Sequence, residues 1–152
     1  MAYLVDKGKY QTNVIGPTTS VPAPLVTNQT VTVTGNSGDI FVPARAQSVM
    51  LYAVASGAVS GTAPTLAFAL AAKDLQLTTQ YYTLVTAPNI TATGGTALLI
   101  VGPVVSFVAN IALPAIMPAI MRVLWTVTGT TPSFGGVYAT LVWQEIGVPG
   151  GA

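Results

Sequence analysis

Gln29-Thr30-Val31-Thr32-Val33-Thr34 alternates polar and apolar residues in strict period two, which in an extended chain puts the apolar side chains on one face. Gly35-Asn36-Ser37-Gly38-Asp39 follows with turn-forming residues, and Ile40-Phe41-Val42 begins a second run that Pro43 stops, so the pattern predicts a hairpin. Ser48 to Ala55 is the next strand. Val49, Leu51, Ala53 and Ala55 share one face and Met50, Tyr52 and Val54 the other, and two apolar faces predict burial on both sides. After a loop over 56–64, the segment Thr65 to Lys73 sets Leu66, Phe68 and Leu70 against Ala67, Ala69 and Ala71. This reads as a strand, with a short helix as the alternative because Leu and Ala suit either. Tyr81 to Thr86 and Ala97 to Val101 are further strands, bounded by Pro88-Asn89 and by Gly94-Gly95. Near the C-terminus Met121, Val123, Trp125 and Val127 line one face of a strand and Arg122, Leu124, Thr126 and Thr128 the other. Residues 129–136 then predict a turn, and Val137, Ala139, Leu141 and Trp143 align along the returning strand.

These elements predict one all-β domain over residues 27–147, an antiparallel β-sandwich of jelly-roll-like type, with a flexible tail at 148–152. Its expected core anchors are Leu51, Phe68, Val123, Trp125, Leu141 and Trp143, the two tryptophans as buried or interface aromatics rather than ligand platforms. One short internal echo is present: Gly61-Thr62-Ala63-Pro64-Thr65-Leu66 and Gly129-Thr130-Thr131-Pro132-Ser133-Phe134 share a Gly-Thr-x-Pro-small-apolar pattern. Residues 1–26 are turn-rich and proline-spaced, with Gly16-Pro17 and Val21-Pro22-Ala23-Pro24, a composition that favours extended backbone over helix. The expectation is an extended N-terminal arm that orders on a neighbouring subunit through Tyr3, Leu4, Tyr10, Ile15, Pro22 and Pro24.

Composition changes the picture. The chain of 152 residues is 51% hydrophobic and 6% charged, with a formal charge of +1, whereas an ordinary soluble domain carries about 25% charged residues. A surface so poor in charge points to one covered by partners or set in lipid. Against lipid, the uncharged run from Thr96 to Met121 is interrupted by Gly102, Pro103, Asn110, Pro114 and Pro118, which breaks a helix and suits strands joined by turns. The N-terminal sequence Met1-Ala2-Tyr3-Leu4-Val5-Asp6-Lys7 does not show a basic stretch followed by a continuous apolar one, so no secretory signal is expected. His and Cys are both absent, which removes the commonest general base, the thiolate nucleophile and nearly every transition-metal site. Asp6, Asp39, Asp74 and Glu145 are dispersed, as are Lys7, Lys9, Arg45, Lys73 and Arg122, so neither a carboxylate pair nor a nucleic-acid footprint is predicted. No catalytic residue, cofactor or metal site is expected, and the chain reads as a non-enzyme.

The segment Arg122-Val123-Leu124-Trp125-Thr126-Val127-Thr128-Gly129-Thr130-Thr131-Pro132-Ser133-Phe134 resembles one that recurs in small virion proteins of tailed bacteriophages. Val31-Thr32-Val33-Thr34-Gly35-Asn36, the Ser48 to Ala55 strand and Ser60 to Leu66 look like that family's first strands. The likeness covers roughly Thr30 to Val142 and departs in the middle, where Lys73 to Gln80 stands in place of the family's Asp-rich turns. The resemblance implies a structural virion protein, of the decoration (cement) or minor capsid type. Such a protein is made in the host cytoplasm and located in the virion, forming homo-oligomers and contacting the major capsid protein or other virion proteins. It implies no specific nucleic acid, no membrane and no active-site residue. Alternatives are a tail, neck or head-fibre component, and a carbohydrate-binding β-sandwich using Trp125, Trp143, Tyr81 and Tyr82.

Overall fold

The computed structural model describes residues 10–12, 26–44, 46–77, 79–103 and 105–145. The described residues contain no helix. Their strands are β1 (Tyr10–Thr12), β2 (Val26–Val31), β3 (Gly35–Asn36), β4 (Ile40–Phe41), β5 (Ala46–Ala55), β6 (Val59–Lys73), β7 (Tyr81–Thr86), β8 (Gly95–Gly102), β9 (Ala112–Pro114) and β10 (Ile120–Glu145). The chain is thus all-β, and the Leu- and Ala-rich segment that could have been a helix belongs to β6. The strands form one nearly closed sheet along the path β7-β6-β10-β5-β8-β9, with β1 to β4 on the remaining edge of β10. Its ladders are antiparallel except β8-β9, which is parallel.

Strand β10 organises the sheet because it serves as two limbs. Met121 to Thr128 pair with Ala72 to Thr65 of β6, and Val137 to Glu145 pair with Ala55 to Ala46 of β5. The predicted turn at 129–136 is therefore corrected: the chain does not return on itself but stays paired, Thr130 with Thr62, Ser133 with Ser60 and Phe134 with Val59. The predicted loop at 56–64 shrinks accordingly, since β6 already begins at Val59. Here the two Gly-Thr-x-Pro motifs cross each other. Gly61 has φ +113° and Gly129 φ +117°, and two residues on, Ala63 has φ +48° and Thr131 φ +47°. A Cβ on Gly61 would lie 2.7 Å from Thr131 O and 2.9 Å from Thr130 O; one on Gly129 would lie 2.9 Å from both Ala63 O and Thr62 O. Each glycine thus makes room for the backbone of the other motif, and the echo in the sequence is a local pseudo-twofold crossing at which both strands shift register.

The predicted hairpin at 29–42 is also corrected. β2, β3 and β4 follow one another along β10, from Ala139 opposite Val26 to Ile120 opposite Phe41, and do not pair with one another. Side-chain hydroxyls fill the gaps between these short strands. Val127 N donates to Thr34 Oγ1 at 2.9 Å and Val123 N to Ser37 Oγ at 3.0 Å. Thr34, from the end of the predicted strand, and Ser37, from the predicted turn, therefore act as substitute ladder acceptors along an edge.

The core lies between the two groups of strands that the limbs of β10 organise. Leu66, Phe68 and Leu70 of β6 and Met121 and Val123 of β10 join Val49, Leu51 and Ala53 of β5, Leu99 and Val101 of β8, and Leu141 and Trp143 of β10. Five of the expected anchors, Leu51, Phe68, Val123, Leu141 and Trp143, are buried. Trp125 is half-buried, packed against this core, and a Cβ on Gly35 would fall within 2.8 Å of its indole.

Candidate functional site

Sequence separation hides one polar cluster. Asp39, on the link between β3 and β4, accepts hydrogen bonds from Tyr81 Oη at 2.5 Å, from Arg122 Nε at 2.8 Å and from the Lys73 ammonium. Arg122 also stacks on the Tyr81 ring, its guanidinium carbon 4.0 Å from the centroid. Lys73, then the Tyr81 hydroxyl and Arg122, hold the Asp39 carboxyl far below the usual carboxylate range, and Asp39 in turn raises the Lys73 ammonium. Next to it Asp74 is lowered by the backbone N–H groups of Leu77 and Gln76, and it raises the Tyr82 phenol that donates to it at 3.1 Å. A carboxylate locked in the ionised form by three donors is a poor proton carrier near neutrality. The cluster is a fastening: it ties the β3-β4 link to the end of β6 and to the starts of β10 and β7. Among the described residues no group of three or more His, Cys, Asp or Glu could hold a metal.

A second surface lies on the outer side of β5, β8 and the second limb of β10. Register sets Met50 between Ile100 and Val142, Tyr52 between Leu98 and Thr140, and Val54 between Thr96 and Tyr138. Ser48 closes the end, donating to Gln144 Oε1 at 3.0 Å. The expectation that β5 is buried on both sides is corrected: Tyr52, Leu98 and Tyr138 are 45%, 39% and 36% exposed, and no described residue covers them. No charged side chain stands in these rows, while Asp39, Lys73, Asp74 and Arg122 gather in the cluster above. Ser48, Met50, Ile100, Val105 and Val142 also line a recess of about 310 Å3.

A third feature is the seam at which the sheet fails to close. The two ends of the path, β7 and β9, border a groove of about 300 Å3 lined by Thr83 to Thr86 and by Phe107 to Asn110, Ala112 and Leu113. Phe107 and Val108 are exposed beside it.

Of the residues expected to make assembly contacts, Tyr10 lies in β1, opposite Gln144 of the same chain's β10. Tyr3, Leu4, Ile15, Pro22 and Pro24 lie outside the described residues. The surface that sequence reasoning missed is the outer face of β5, and the signal was available there as a second apolar row. Trp143 is 1% exposed, and Tyr81 is engaged by Arg122 and Asp39. Among the described residues no helix is long and apolar enough to cross a membrane. Comparison of the chain with family models, with curated proteins and with solved structures finds no match.

Proposed function

We propose that this chain is a non-catalytic structural subunit of a larger particle, and that the charge-free outer face of β5, β8 and β10 is a contact surface in it. The observation that carries this reading is a central strand with two apolar faces, one of them uncovered. Three strands about 4.8 Å apart, with alternate residues about 6.8 Å apart, give that face a footprint of about 300 Å2. A stable interface takes about 800 Å2 per partner, so the face needs a second contact to hold. The arm over residues 1–26, of which Tyr10–Thr12 and Val26 pair with the same chain's β10, is the reading for that contact through its other residues, and the two limbs of β10 are read as a jelly-roll-like sandwich bent at the Gly-Thr-x-Pro crossing.

The phage resemblance selects the particle: a tailed-bacteriophage virion, with the chain as a decoration or cement protein bound to the capsid shell. A tail, neck or head-fibre position is the alternative within the virion, and copy number separates the two. The carbohydrate-binding alternative is disfavoured because Trp143 is buried. Cryo-electron microscopy of the purified particle tests the reading: hundreds of copies on the shell support it, and absence of the chain from virions overturns it. Leu98→Lys, on an exposed position, should abolish binding to the shell with an unchanged circular dichroism spectrum. Undiminished binding would remove this face from the contact.

A further inference from the structure

One edge of β10 is covered in a way that sets it apart from the other. β2, β3 and β4 lie end to end along it between Ile120 and Ala139, and none of them has a second ladder partner among the described residues. β3 and β4 are two residues each, while β2 shifts register twice and holds Asn28 at φ +44°. Between these pieces the Thr34 and Ser37 hydroxyls stand in for ladder carbonyls, accepting from Val127 N and Val123 N. On the opposite edge the same stretch, Met121 to Thr128, carries an unbroken ladder with β6.

Few side chains anchor this covering. Between Asn28 and Phe41 only Val31 and Ile40 are buried apolar residues, and Val33 and Phe41 are exposed. Gly35 lies against the Trp125 indole but brings no side chain to it. Segments with few buried apolar contacts and discontinuous backbone pairing open before the rest of a fold. Against that tendency stands one concentrated tie. Lys73, Tyr81 and Arg122, from β6, β7 and β10, all donate to the Asp39 carboxylate. The donors belong to strands held together by their own ladders, and Arg122 is stacked on Tyr81. The receiving side therefore stays in place when Asp39 leaves it.

We infer that residues 26–42 form a strap that lifts from β10 as a unit while β5 to β10 stay paired, and that Asp39 is its latch. Lifting bares the β10 edge from Ile120 to Ala139, which spans both limbs, and uncovers the Trp125 indole. A bare edge is a template for pairing with other chains, so the latch governs whether that edge is hidden. This device goes beyond the particle reading and stands without it.

Native-state amide hydrogen exchange followed by NMR on the full-length chain tests the strap, because successive N–H groups of a strand point to opposite edges. Val123 and Val127 N–H point under the strap, whereas Leu124 and Thr126 N–H point toward β6. Val123 and Val127 should share one protection factor and exchange at least about tenfold faster than Leu124 and Thr126. Asp39→Asn should speed the first pair by about another tenfold, the order lost when charged donors lose a hydrogen-bonded carboxylate, and leave the second pair unchanged. Lys73→Gln should act in the same direction, and it keeps the latch open to test if Asp39→Asn does not fold. Asp74→Asn, whose carboxylate bonds Tyr82 and the backbone of Gln76 and Leu77, should move neither pair. Equal protection of all four amides in the parent would show that this edge opens only with the whole sheet. Acceleration of Val123 alone would show fraying next to Asp39 and no concerted strap, and equal acceleration of all four by the latch variants would show a general loss of stability; any of these overturns the inference.

Discussion

Replacing Gly61 with alanine should be among the most damaging small changes available in this chain, because two costs coincide there. At φ +113° an L residue is held in a sparsely populated region at about 1–3 kcal/mol. The new methyl would also stand 2.7 Å and 2.9 Å from the carbonyl oxygens of Thr131 and Thr130. Those are backbone atoms of a paired strand and cannot rotate away, so relief requires moving the crossing, at about another 1–3 kcal/mol. The expected total is about 2–6 kcal/mol, a large part of the 5–15 kcal/mol that holds a typical domain together. Gly129→Ala meets Ala63 O and Thr62 O in the mirrored environment, and its cost should agree with that of Gly61→Ala within about 1 kcal/mol. Gly38→Ala is the control: φ is +76° with nothing within 4 Å of the added methyl, leaving only about 1–2 kcal/mol of backbone strain. Because both crossing variants loosen one contact, the double variant should cost less than the two singles together, by about 0.5–3 kcal/mol. Urea denaturation followed by tryptophan fluorescence reads all four proteins. At a slope of about 2 kcal/mol/M, a loss of 4 kcal/mol moves the midpoint by about 2 M. The reasoning fails if Gly61→Ala is no worse than Gly38→Ala, or if one crossing glycine tolerates alanine and the other does not.

The two tryptophans should separate in the same assay: Trp143→Ala, at a fully buried position, should cost about 3–5 kcal/mol, and the half-buried Trp125→Ala clearly less, so equal losses would contradict the burial difference. Asp39 is depressed in the folded state by Lys73, Tyr81 and Arg122, so it stabilises the fold above its unfolded value near pH 4, and that contribution is lost as pH falls through the folded value. Asp39→Asn should accordingly lower stability by a constant amount between about pH 5 and 8, with the difference from the parent shrinking below about pH 4; a difference that grows on acidification would reverse the assignment. Deleting the residues before Thr27 removes β1 and Val26 from the edge of β10, and should leave a folded sheet, by circular dichroism, that no longer assembles in sedimentation and aggregates more readily. A truncated protein that assembles normally would take the arm out of the mechanism.

The sequence by itself determined that the chain is built from strands and which side chains share a face. Alternation is a local property of extended backbone: Val49, Leu51 and Ala53, or Val137, Ala139, Leu141 and Trp143, point together wherever their strand ends up. Pairing is not local. Residues 129–136 carry turn chemistry, and the same glycines, threonine and proline serve a bulged crossing once residues 59–64 lie beside them; the repeated motif marked both places without showing that they meet. Thr34 read as the end of a strand and Ser37 as a turn residue, and both became acceptors along an edge. The charges looked dispersed, and only the fold brings Asp39 to Lys73 and Arg122, whose attraction depends on distance in space and not along the chain. The second apolar row of β5 was legible too, as Met50, Tyr52 and Val54. Whether it is covered is a question about neighbouring elements, and the tertiary structure answered it by placing nothing over Tyr52 and Leu98 among the described residues.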